Sequence, residues 1–136
     1  MTDFVLRGGM LVFPDRSPEK KDVLVKAGKI HSLLAPGAAA QGVAEQSAAG
    51  LHVFPGLIDC HVHFGMGEKI TEYSTETANA AQGGFTTVLG YFLNNEAYGD
   101  VFRRELEHAM ARAHVDFGFH FSTANELHIK LSLIHI

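Results

Sequence analysis

Two histidines one residue apart, His61 and His63, close the run Val53-Phe54-Pro55-Gly56-Leu57-Ile58-Asp59-Cys60-His61-Val62-His63. Side chains along a strand point to alternate faces, so the two imidazoles fall on one face, and by the same count so does Asp59. Two imidazoles that close on a rigid backbone can share one divalent ion. Neutral imidazole suits zinc, with manganese, cobalt or iron as alternatives. An ion of that kind polarises a carbonyl and lowers the pKa of its water, which suits it to breaking unactivated bonds with water. The apolar run before the pair has the character of a fully buried parallel strand. The expectation is a metal site at the C-terminal end of a core strand.

Other residues near the pair carry two readings each. Asp59 is a candidate for orienting an imidazole N–H from outside the ligand set. Equally, it could be a buried hydrogen-bond partner deeper in the fold. Cys60 alternates away from the histidines and reads as a small core residue. Phe64 and Met66 follow in the next loop, where they could line a substrate pocket or close the mouth of the site. His120 shares a strand face with Asp116 and Gly118, while Phe117, Phe119 and Phe121 take the other face. Three aromatics packed under helices would aim His120 inward, toward the site, as a structural hydrogen-bonding group or a pocket residue. His31, His52, His108, His114 and His128 have no such context.

The elements that must position these residues come in two blocks. Residues 1–54 read as short strands and turns. Residues 4–7 and 10–13 read as two strands with a turn at Gly8-Gly9, and residues 22–25 and 29–34 flank the turn Lys26-Ala27-Gly28. Residues 35–50, rich in Ala, Gly and Gln, read as a loop, and 51–54 resume strand character. From Pro55 onward the order changes to strand, helix, strand, helix, strand. The strands cover 57–63, 86–92 and 115–122. A helix over 73–82 stops at Gly83-Gly84. A second, over 101–114, has Asp100 as candidate N-cap and Phe102, Leu106, Ala109, Met110 and Ala113 as its apolar stripe. That order is the signature of a parallel sheet with helical crossovers.

Composition narrows the partners. The chain has 136 residues, 46% apolar and 19% charged, with a net charge of -4. No basic cluster exceeds Lys20-Lys21 or Arg103-Arg104, which argues against a nucleic-acid surface. With a single cysteine there is no disulfide framework. No apolar run approaches the roughly 20 residues that span a bilayer. The start of the chain lacks the pattern of a secretion signal. The reading is cytoplasmic, with neither membrane nor nucleic acid as partner.

The run Pro55-Gly56-Leu57-Ile58-Asp59-Cys60-His61-Val62-His63 resembles the cyclic amidohydrolases, the dihydropyrimidinase/hydantoinase, allantoinase and dihydroorotase group of the amidohydrolase superfamily. Leu6-Arg7-Gly8-Gly9 and residues 23–30 are similar to that group's small β-sandwich domain. Gly83-Gly84-Phe85-Thr86-Thr87 looks like its entry into the second barrel strand, and residues 116–120 resemble its third strand. The resemblance implies an α/β fold: the N-terminal part of a metal-dependent (β/α)₈ barrel over 55–130, preceded by a β-sandwich portion over 1–54. Such a barrel needs eight strands and about 250 residues, so the expectation is a fragment truncated after three barrel strands. It further implies hydrolysis of a small cyclic amide or ureide by a homo-oligomer holding two metal ions per site, zinc by preference.

On that resemblance His61 and His63 ligate one metal. The remaining ligands and the catalytic aspartate come from later strands. Gly65 stands where dihydroorotases carry Arg, and His63-Phe64-Gly65-Met66 looks more like hydantoinases. The alternatives are an allantoinase- or dihydroorotase-like enzyme and a non-catalytic relative used for assembly. Residues 131–136 can be encoded by CTG TCT CTT ATA CAC ATC, which resembles the end of a transposase adapter used in sequencing libraries. The expectation is that they are translated adapter, against an ordinary apolar strand end.

Overall fold

A computed structural model describes residues 2–64, 69–93 and 95–134. The chain divides into two compact units, Met1–Pro55 and Gly56–Ile136.

The first unit is one mixed sheet. Strands β1 (Phe4–Leu11), β2 (Glu19–Lys26) and β3 (Lys29–Leu34) pair antiparallel in sequence, while β4 (Ala44–Ser47) and β5 (His52–Val53) run parallel to β1. The β2–β3 turn has positive φ at both Ala27 (49°) and Gly28 (74°), the geometry of a type I′ hairpin. Gly8-Gly9 does not turn the chain as expected from sequence. It is an irregularity within β1, where the register against β2 shifts between Leu6 and Gly9. Gly9 is held to glycine by crowding, since a Cβ there would lie 2.6 Å from Val53 Cγ2. The loop expected over 35–50 contains β4, whose hydrogen bonds come from β1 and leave no apolar trace in its own sequence.

The amide disturbed by the Gly8 irregularity is met by Asp22, which is 1% exposed. Its carboxylate accepts the N–H groups of Gly8 and Gly37, both at 2.8 Å, and the Arg7 guanidinium at 2.8 Å. Arg7 also reaches Glu45 and the Ala38 carbonyl. Burial alone would raise the Asp22 pKa. The Gly8 amide, Arg7 and the Gly37 amide outweigh it and hold the carboxyl below its ordinary value.

The second unit is a parallel three-stranded sheet in the order β6 (Leu57–Val62), β7 (Phe85–Phe92), β8 (Asp116–Phe121), with helices α1 (Lys69–Gln82), α2 (Tyr98–Arg112) and α3 (Glu126–Ile134). α1 ends as its sequence says it should: the Gly83 and Gly84 amides bond to Asn79 and Ala81 carbonyls, and Gly84 takes φ 86°. α2 starts earlier than expected. Its N-cap is Ala97, with no side-chain cap, so Asp100 stands inside the first turn. Tyr98 anchors that start: 4% exposed, it stacks on His128 at 3.9 Å and packs against Phe92 and Phe121. Asn125 and His128 supply the polar contacts of that corner, with the His128 ring nitrogens taken by the Ala124 amide and the Glu96 carbonyl.

The apolar stripe of α2 is rotated from the one read in sequence. Met110 is 71% exposed, while Glu105 is buried. Tyr73 of α1 explains this: its hydroxyl donates to Glu105 Oε1 at 2.5 Å inside the helix pair. Burial, then Glu105, pushes the Tyr73 phenol far above its ordinary pKa. The tail is helical to Ile134, which overturns the strand-end expectation for those residues. No helix among the described residues is long and apolar enough to cross a membrane.

Candidate metal centre

The central strand β7 sorts the two faces of this sheet. Val88, Gly90 and Phe92 are buried against the helices; Thr87, Leu89 and Tyr91 look the other way and are only partly covered. On β8, Phe117, Phe119 and Phe121 pair in register with Val88, Gly90 and Phe92, and Phe119 and Phe121 meet Phe102 of α2. His120 pairs with Tyr91 and so takes the open face. The alternation read from the sequence of this strand holds in the structure.

On β6 it does not hold throughout. Asp59 pairs with Val88 and Val62 with Gly90, so three steps on β6 match two on β7. That is a β-bulge, one extra residue at Cys60-His61. Paired residues in a parallel sheet share a face, so Asp59 and Val62 both lie on the helix side. Asp59 therefore does not share the face of His61, while it lines one cavity with His63. Its Oδ1 accepts the His61 backbone N–H at 3.0 Å, and it lines a cavity of about 290 Å³ with Glu76, Asn79 and Phe64. The carboxylate is bound to the backbone of the bulge and not to an imidazole N–H.

Two more expectations are corrected, for Cys60 and for the strand. Cys60 is exposed, not a core residue, because it sits in the bulge. The strand itself is not fully buried: Leu57 is 49% and Ile58 64% exposed, since no layer covers the open face among the described residues. Phe64 turns under α1, with its ring 4.8 Å from Tyr73, and lies on β7 where Gly90 lacks a side chain. A Cβ at Gly90 would come to 3.0 Å from that ring. Phe64 thus packs the sheet to the helix, and it lines one cavity together with His63. Met66 and Gly65 lie outside the described residues.

His61 and His63 do come together. Their Nε2 atoms are 3.1 Å apart, with the rings edge to face at 65°. Two nitrogens bound to one tetrahedral zinc at about 2.0–2.1 Å would be about 3.3 Å apart, so the pair fits a shared ion. Ligation through both requires each ring to keep its proton on Nδ1. Among the described residues no cluster of three or more His, Cys, Asp or Glu forms, and the pair brings two nitrogens together.

Tyr91 is the site residue that sequence reasoning missed. Its ring lies 4.4 Å from His61, 5.4 Å from His63 and 5.0 Å from His120. The strand pattern put Tyr91 opposite Gly90 and Phe92, but its level beside the histidines depends on the β6–β7–β8 register.

No family model matches the chain. Among curated proteins, it is 43% identical over 88 residues to a dihydroorotase of Desulforapulum autotrophicum, covering 60% of this chain and 20% of that protein. It is 30% identical over 124 residues to a D-phenylhydantoinase of Escherichia coli, covering 85% and 26%. Among solved structures, an L-hydantoinase (dihydropyrimidinase) from Arthrobacter aurescens superposes with a TM-score of 0.80 at 28% identity, over 99% of this chain and 31% of that one. A dihydroorotase structure shares the fold at a TM-score of 0.60 and 19% identity, over 89% and 31%. The chain spans about a fifth to a quarter of the length of these curated relatives.

Proposed function

We propose, from the premise that this chain is a relative of the cyclic amidohydrolases within the amidohydrolase superfamily, that it is the N-terminal portion of a hydrolase. The whole protein cleaves the C–N bond of a small cyclic amide or ureide of hydantoin or dihydropyrimidine type. The observation that carries this reading is the 3.1 Å approach of His61 Nε2 and His63 Nε2 at the C-terminal end of β6, the end where barrel enzymes keep their chemistry. A divalent ion, zinc by preference, would supply Lewis acidity toward the carbonyl and toward water.

The chain's own part is to present two unprotonated Nε2 atoms on one side of the sheet. Asp59 contributes by tying down the His61 amide, which fixes the bulge from which both histidines project. His120 and Tyr91 form the adjoining wall of the open face, with His120 a candidate pocket residue. On this reading the whole protein is a cytoplasmic homo-oligomer whose partner is its small substrate, with neither nucleic acid nor a membrane surface. The remaining ligands and the general base belong to barrel strands other than β6, β7 and β8, so on this reading the 136-residue chain alone does not turn over substrate.

A second reading, a dihydroorotase-like substrate, draws on the higher identity to the Desulforapulum autotrophicum protein over a shorter stretch. Assay of the whole protein on hydantoin, dihydrouracil, allantoin and dihydroorotate separates these. Turnover of the first two with His61→Ala inactive is expected. A whole protein that hydrolyses none of the four with zinc bound would leave the non-catalytic assembly role in its place. Residues 131–136 we read as translated adapter; sequencing the gene beyond codon 130 on intact DNA tests that.

A further inference from the structure

His61 and His63 are both exposed, and among the described residues the ring nitrogens are hydrogen-bonded only to each other. Exposed imidazoles turn freely about two side-chain bonds, so something else must hold their nitrogens convergent. Tyr91 is the group in place to do so. Its ring is nearly parallel to His63 at 26°, tilted 40° to His61, and within 5.4 Å of both. On its other side His120, its register partner on β8, backs it at 5.0 Å and 39°. Offset and tilted ring pairs at these separations are attractive and restrict rotation.

We propose that Tyr91 is a positioning residue for the histidine pair: its ring face sets the orientation in which the two Nε2 atoms converge, and His120 buttresses it. This rests on the reading of the pair as metal ligands. The ring is the active part, not the hydroxyl, which has no hydrogen bond to a described residue. The arrangement ties the ligands of β6 to the register of β7 and β8, so the order of the pair depends on all three strands.

The test compares Tyr91→Phe, Tyr91→Leu and the double variant His61→Ala/His63→Ala in the 136-residue chain. Two readouts are taken: the nuclear Overhauser contact between the His61 and His63 ring protons without metal, and zinc affinity by competition with a chromophoric chelator. Tyr91→Phe should keep the ring contact and near-native affinity. Tyr91→Leu should lose the contact and weaken zinc by about tenfold, the low end for residues that orient metal ligands, with an unchanged melting temperature. Either unchanged readouts in Tyr91→Leu, or equal losses in Tyr91→Phe, overturn the proposal. Should Tyr91→Leu fail to fold, Tyr91→Met is measured instead, and unfolding of both marks Tyr91 as a packing residue and also overturns it. Zinc binding that survives the double histidine variant refutes the ligand reading alone, since the metal-free ring contact still decides the role of Tyr91.

Discussion

Asp22 in the first unit and the His61–His63 pair in the second are both polar clusters set on strands, yet they are built to opposite ends. Around Asp22 both carboxylate oxygens are engaged: two backbone amides and a guanidinium converge on a carboxylate that is 1% exposed. Around the histidines, each Nε2 has the other as its only hydrogen-bond partner among the described residues, and both residues are exposed. A buried cluster whose partners are already seated is a fastening, because it offers no exposed group to a ligand. On the proposed reading, an exposed pair of convergent imidazole nitrogens with rings to orient them is a receptor. Residue type does not distinguish the two cases; how many partners are already seated does.

That contrast breaks most readily at the histidines. His61→Ala/His63→Ala should reduce zinc affinity by about a hundredfold or more, beyond what loss of an orienting residue costs, while thermal melting of the metal-free chain stays put. A large drop in melting temperature would mean the pair is a fastening after all. Next in size, Asp22→Ala strips the partner from a buried guanidinium contact and two amides. It should cost about 3 kcal/mol in urea unfolding and leave zinc affinity unchanged. Altered zinc affinity would show that the two clusters are coupled. Tyr73→Phe is smaller: it leaves Glu105 buried with one donor fewer, for about 1–2 kcal/mol.

Acid gives the gentlest probe. The folded pKa of Asp22 is depressed, so its contribution is complete above the unfolded value of about 3.9 and fades as pH falls through the lower folded value. Stability measured between pH 5 and pH 2 should fall with the wild-type chain and fall less with Asp22→Asn. Parallel curves for the two would remove Asp22 from its role.

Much of the architecture was legible in the sequence because it is encoded locally. Gly83-Gly84 ends α1, and Phe117, Phe119 and Phe121 against His120 declare which side of β8 is which. The histidine pair was legible too, being two residues apart on one strand. What escaped depends on partners elsewhere in the chain. The bulges at Gly8-Gly9 and Cys60-His61 exist only relative to a neighbouring strand's register, and β4 is a strand by virtue of β1's hydrogen bonds. Glu105 displaces Met110 from the buried face of α2 because Tyr73, 32 residues away, supplies its donor. Tyr91 joins the site through registers that no single strand's pattern reveals.

The extra residue at Cys60-His61 changes parity. Counting by twos from His63 is sound down to His61 and wrong at Asp59, because the register against β7 shifts between Asp59 and Val62. Removing one residue there would leave the imidazoles facing outward and Val62 inward, with only the segment before them shifted by a place. Such a deletion tests what the Asp59 carboxylate is for: the His61 amide would regain a strand partner, and the aspartate would lose its reason to be there.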